Sequence, residues 1–260
     1  MDILDGFPIW AVYLGTVALV LVAAEIGFRI GIWLKRRDPT ALKGQIVGVV
    51  VGGMLGLMAF LLAFCIGIVI EQHGGRKAMI VTEANAVGTA YLRAGFLGDA
   101  DRLRSRDLLR EYVERRLAAA ADLALFESTV ARSEEIHSEL WAIVEENVRQ
   151  GNSSDIMALY ADSINTVIDV HSERLAAIDL RLPSLLGIVL YAATLLSFLL
   201  VGVANSADGK RDPFAILLFA LAFVAVLMLV VDLDRAQQGL LTVSQTALSD
   251  LLRQMAAVSP

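Results

Sequence analysis

Histidine, carboxylate and arginine are the residues in this chain whose types and spacing invite chemistry. The three histidines are His73, His137 and His171. Glu134-x-x-His137 is one half of the pattern by which carboxylate-bridged metal bundles set ligands on one helix face. The corresponding position before His171 is Ile168, so the other half is missing. His137-Ser138-Glu139 and His171-Ser172-Glu173 repeat one tripeptide, yet solvated helix faces account for these residues better than a shared metal site. No glycine-rich phosphate loop, nucleophile elbow or zincin pattern occurs. The expectation is of a protein that is not an enzyme, with no metal and no cofactor.

Composition narrows the class. Of the 260 residues 57% are hydrophobic, and the net charge is −6. That excess exceeds what a soluble domain needs to fill a core, and the negative charge argues against nucleic acid as a partner. The single cysteine, Cys65, allows no disulfide framework within one chain. The N-terminus carries Asp2 and Asp5 where a cleavable signal would be basic, and its apolar run is too long for one. It is expected to be a retained spanning helix.

The elements follow from hydropathy. Four apolar stretches, residues 9–33, 45–70, 185–203 and 213–231, each come close to the roughly 20 residues an α-helix needs to cross a bilayer. Between the second and third lies a segment rich in Arg, Glu and Asp that has no place in lipid. The expected fold class is an all-α membrane protein with four transmembrane helices and a long helical extramembrane insertion between the second and third. Its parts are residues 1–70, two spans joined by a basic loop; 71–182, the helical module; 183–231, the last two spans; and 232–260, an amphipathic tail. Membrane lipid is one partner. Short-loop charge sets the orientation: Lys35, Arg36, Arg37 and Lys43 follow the first span, and Lys210 and Arg211 follow the third. The positive-inside rule places both loops in the cytoplasm, hence the module in the periplasm if the membrane is the bacterial inner one.

Within the spans, Trp10, Tyr13 and Trp33 mark interface levels. Glu25 and Arg29 lie one turn apart and close enough to pair; Arg29 is read as snorkelling toward the basic interface with Glu25 neutralising it. The second span carries Gly48, Gly52 and Gly56, a row of small residues that lets helix backbones approach closely in lipid. The same spacing continues through Phe60, Phe64 and Ile68. Several copies of such a helix around an axis would form apolar rings able to gate by dewetting. Ordinary packing within one bundle is the competing account.

The module reads as helical throughout. Residues 76–96 are expected to continue the second helix, and Gly98-Asp99-Ala100-Asp101 to be a turn with capping character. Helices are expected over 103–125, 134–148 and 156–182, the last running on through Pro183 into the third span. The tail over 235–255 lies either on the module or at the membrane surface.

Three segments resemble the bestrophin-like domain of unknown function, a family of bacterial multi-pass membrane proteins distantly similar to bestrophin channels. The first comprises residues 57–64 followed by 76–93, with Glu83-Ala84-Asn85-Ala86 its most specific part and Arg93 at its end. The second is Asn165-x-x-x-Asp169-x-His171-x-x-Arg174 leading to Leu182-Pro183. The third opens with Asp232-Leu233-Asp234-Arg235. Departures are Ala236-Gln237, where the family usually has Pro-Phe, and Gln72-His73-Gly74-Gly75-Arg76, where an aromatic residue precedes Arg. The resemblance implies a homo-oligomer, a pentamer by analogy with bestrophins, whose second helix lines a pore for permeant ions. Phe60 and Phe64 would form the neck, with Gly56 or Ile68 as a third ring. Bestrophins place their helical region in the cytosol, against the charge bias here, and the charge-based orientation is retained.

Glu83, Asn85 and Arg93, with Asp232 and Asp234, would then stand near a pore mouth or else bond helix to helix within the module. Acidic rings favour cations, whereas Arg93, Arg102, Arg104 and Arg106 favour anions, so selectivity is left open. Two functions are expected to compete. One is an oligomeric ion channel; the other is a non-conducting scaffold or sensor whose module binds a partner or ligand, with Phe60 and Phe64 packed inside its own chain.

Overall fold

The computed structural model describes residues 6–38, 44–207, 212–235 and 241–258. Asp2, Asp5, Lys43, Lys210, Arg211, Ala236 and Gln237 therefore lie outside the described residues. Among the described residues eight α-helices follow in order: α1 (Ile9–Arg37), α2 (Gly44–Arg93), α3 (Asp99–Ala121), α4 (Phe126–Arg149), α5 (Asp155–Asp179), α6 (Ser184–Ala207), α7 (Pro213–Asp234) and α8 (Thr246–Val258). Short 3-10 turns occupy Ala94–Phe96 and Leu123–Leu125, and no strand occurs among the described residues. Among the described residues four helices are long and apolar enough to cross a membrane. The chain divides into two compact units, residues up to 72 with 181–241, and residues 73–180 with 242 onward.

The first unit comprises α1, α6, α7 and the earlier part of α2. Helix is the backbone form that satisfies its own hydrogen bonds in lipid without partner strands, and these segments are apolar enough to need that. Close approach of α1 and α6 rests on three glycines. A Cβ on Gly27 would strike the Leu199 carbonyl, one on Gly202 the Ala24 carbonyl, and one on Gly31 the Ser206 hydroxyl. Around this contact Val20, Met58, Cys65, Leu190, Phe198 and Leu227 form the core. The Phe198 ring meets Phe219 and Phe223 at centroid distances of 5.3 and 5.6 Å. Asp212 caps α7 by accepting the Ala215 N–H at 3.0 Å, with Pro213 in the first turn where its missing donor costs nothing.

The second unit holds the later part of α2 with α3, α4, α5 and α8. Its core includes Val87, Leu109, Tyr112, Ile136, Leu140, Tyr160 and Ile164. Of the two places open to the tail, α8 takes the module: Leu248, Leu251 and Met255 enter the core, and the Tyr91 hydroxyl donates to the Met255 carbonyl at 3.3 Å. An ion-pair clamp ties α3 to α4. Arg132 reaches Glu111, Glu135 and Glu139 at 2.8 to 3.0 Å, and its bonds hold the Glu111 carboxyl down at about 2.

Four boundaries differ from the sequence expectation, the first being the start of α3, which is helical from Asp99 where a turn over 98–101 is expected. α5 does not run through Pro183 but stops at Asp179, and α6 starts at Ser184. Proline has no N–H to donate and forces the residue before it out of the helical region. Arg76 covers the freed end of α5, donating to the Ala177 and Leu180 carbonyls at 3.2 and 2.6 Å, while Asp234 accepts the Leu182 N–H at 2.6 Å. α3 ends at Ala121 rather than 125, because Asp122 turns extended and accepts the Ala124 N–H. α4 begins eight residues earlier than expected, at Phe126.

Candidate functional site

The candidate pore residues lie on a helix with two distinct faces. Met58, Leu62, Cys65 and Val69 recur at helical spacing and are fully or nearly buried. Phe60 follows Met58, and Phe64 follows Leu62, by two residues, which is about 200° around an α-helix. Both rings therefore turn away from the core, with Phe60 71% and Phe64 56% exposed. Ile68 is half-buried. Gly48, Gly52 and Gly56 face open space, since nothing stands within 4 Å of a Cβ built on any of them. Within the chain, close helix approach falls on Gly27, Gly31 and Gly202 instead; Gly27 and Gly31 are themselves a four-residue small-residue pair that could have been read from the sequence.

The later part of α2 carries Glu83 into the middle of the module. It is 1% exposed and serves three partners. The Tyr112 hydroxyl donates to Oε1 at 2.6 Å, Arg174 Nη1 donates to Oε2 at 2.6 Å, and Arg116 Nε lies 3.2 Å from Oε1. Glu83 thus bonds helix to helix, joining α2 to α3 and α5, and does not face water at a mouth. Arg116 is as deeply placed, because it follows Tyr112 by one turn on the stripe that buries Leu108, Leu109 and Val113.

His137 and His171 join this network, which overturns the expectation of solvated faces. They are 7% and 3% exposed, and their rings meet edge-on at 4.8 Å. His137 shares a face with Ile136 and Leu140, and His171 with Val167 and Val170, so apolar burial carries both inward. Tyr112 OH lies 3.2 Å from His171 Nδ1. Burial, His171 and the Arg116 charge outweigh the opposing pull of Glu83 and lower His137 to about 4. His171 is lowered too, by burial first and then the Arg116 charge, against the opposing pull of Glu83 and Glu134. Burial and the Glu83 charge push Tyr112 well above its ordinary range, which keeps its proton in place.

The remaining expected residues scatter. Arg93 donates to the Leu159 carbonyl at 2.7 Å and pairs with Asp162 at 3.3 Å. Asn85 is exposed, and Asp169 is exposed and bonded to Asn165. In the first unit Asp232 accepts the Leu241 N–H and Arg235 donates to the Phe7 carbonyl at 3.1 Å, both buried. Glu25 and Arg29 pair at 3.0 Å as expected. Among the described residues no group of three or more His, Cys, Asp or Glu is set to hold a metal.

Four helices long and apolar enough to span a membrane, in a chain without strands among the described residues, define a multi-pass all-α membrane protein. The Bestrophin-like domain matches residues 14–248, and the chain belongs to that family. No curated protein matches it. In fold it is similar to a point mutant of a bacterial Bestrophin homolog from Klebsiella pneumoniae, with a TM-score of 0.68 at 15% identity over 94% of this chain and 98% of that one. It is also similar to the homolog from that organism solved by zinc phasing, with a TM-score of 0.64 at 15% identity over 95% and 99%. At such identities the likeness establishes the fold alone.

Proposed function

We propose that the protein is an oligomeric ion channel in which several copies of α2 surround a pore. The observation that carries the reading is the outward face of α2. Two phenyl rings, Phe60 and Phe64, stand four residues apart on a helix whose opposite face fills its own chain's core. Gly48, Gly52 and Gly56 leave room on the same helix for another backbone. Rings of phenyl groups around an axis would exclude water unless widened, which is gating by dewetting. Exposed Leu92, Phe96, Leu103 and Ile156 in the second unit favour further packing between copies. A pentamer follows the family analogy, and the charge of Lys35, Arg36 and Arg37 favours a periplasmic module in a bacterial inner membrane. The scaffold alternative called for Phe60 and Phe64 to be packed within the chain, and their exposure counts against it.

Ion flux through liposomes containing purified protein tests the reading, with Phe60→Ala/Phe64→Ala beside wild type. Flux that rises when both rings are truncated places them at a hydrophobic gate. A folded oligomer that stays silent in both forms, over varied salt, voltage and pH, returns the scaffold reading.

A further inference from the structure

A groove of about 530 Å³ runs between α4 and α5 in the second unit, a volume in the range of small-molecule sites. His137 and His171 form part of its lining, and the Nε2 atom of each is buried without a hydrogen-bond partner. For His171 the proton can be placed. The one proton of Tyr112 goes to the Glu83 carboxylate at 2.6 Å, so the Tyr112 oxygen accepts from His171 Nδ1 at 3.2 Å. A neutral imidazole has a single N–H, and Nε2 is therefore a bare lone pair.

Apart from the Trp141 indole N–H, which donates, the remaining polar groups of the groove are acceptors. Ser138 and Ser172 donate their hydroxyl protons back to the Glu134 and Ile168 carbonyls of their own helices. Glu134 makes no ion pair among the described residues, and Glu145 reaches only Arg149, at 4.0 Å. Trp141 is 38% exposed and lines the groove between the two carboxylates, with Ile168 and Leu175 across from it on α5. Acceptors, negative charge, an indole and an apolar wall together fit a donor-rich cation with an apolar body. An anion would meet two carboxylates, and a neutral apolar molecule would leave the acceptors unmatched.

We propose that this groove binds a small organic cation, a primary or secondary amine on an apolar body. Its ammonium pairs with Glu134 and lies against the Trp141 ring, and its apolar part rests on Ile168 and Leu175. The histidine pair forms part of the lining, and the bare His171 Nε2 brings no positive charge to oppose a cation.

Isothermal titration of the full-length protein in nanodiscs with benzylamine, benzyl alcohol and benzoate tests the assignment, since the three share a body and differ in charge. The expected order is benzylamine first, about tenfold or more tighter than benzyl alcohol, with benzoate not binding. Glu134→Gln and Trp141→Leu each weaken benzylamine by about tenfold. Glu134 is exposed and unpaired, so Glu134→Gln keeps the unfolding temperature of wild type. Equal binding of all three probes, preference for benzoate, or benzylamine binding unchanged by both substitutions overturns the proposal.

Discussion

Glu83 holds the second unit together at the scale of one residue. It is the carboxylate on which the buried Arg116 and the nearly buried Arg174 converge. Replacing it leaves guanidinium charge in a low dielectric without its counter-charge. Glu83→Gln is expected to lower stability by about 3–5 kcal/mol, seen as a large fall in the unfolding temperature of detergent-solubilised protein. Glu146→Gln breaks an exposed pair with Arg149 in the second unit and should shift that temperature little; equal shifts would refute the assigned role. His137 adds a pH dependence. Folded, it titrates near 4 because burial, His171 and Arg116 disfavour the charged ring against the pull of Glu83, whereas unfolded it titrates near 6.5. The unfolded chain binds more protons between those values, so stability is complete above pH 6.5 and falls as pH drops toward 4. The loss from this group approaches about 3 kcal/mol. Unfolding temperatures measured from pH 7.5 to 4.5 should fall steeply in wild type and less in His137→Phe.

Among the elements, α1 and α6 depend on three glycines and α2 does not depend on its own. The site of a Cβ on Gly27 or Gly202 is already filled by backbone of the facing helix, which no rotamer change relieves. Gly27→Val is expected to destabilise by at least about 1–3 kcal/mol, while Gly52→Ala leaves the isolated chain unaffected. Thermal unfolding of the two variants separates them, and similar losses would show that α2 is closely packed as well. The ends of α5 and α6 illustrate how local chemistry sets an element: Pro183 breaks the helix, and Arg76 and Asp234 satisfy the groups that the break exposes.

For the molecule as a whole, the unpaired face of α2 is a statement about copies. A chain with Phe60, Phe64 and a glycine row turned outward completes its packing with lipid or with itself. Mass measurement in nanodiscs is expected to find one symmetric oligomer, which Gly52→Leu dissociates or weakens by widening the helix spacing. A monomer of normal stability in wild type would remove the basis of the pore. The match over residues 14–248 makes the fold a family property, while the groove between α4 and α5 belongs to this chain's own side chains.

The chain's linear order was enough to establish the four spans, the helical insertion and the family, because a long apolar run and a charged one can exist only in different solvents. The Glu83-Ala84-Asn85-Ala86 segment also marked the residue on which the module turns. Burial is where the linear reading failed. His137 and His171 sit amid Glu and Ser, so they read as surface, yet the apolar residues three and four positions away rotate them inward. Arg116 was in principle legible, one turn after Tyr112 on an apolar stripe. Its pairing with a glutamate 33 positions earlier was not, since separation along a chain carries no distance through space. Spacing groups Gly48, Gly52 and Gly56 on one stretch of α2, yet each faces open space within the chain. Only the tertiary structure could say that Gly27, Gly31 and Gly202 are the glycines pressed against backbone, because contact depends on which helix lies opposite.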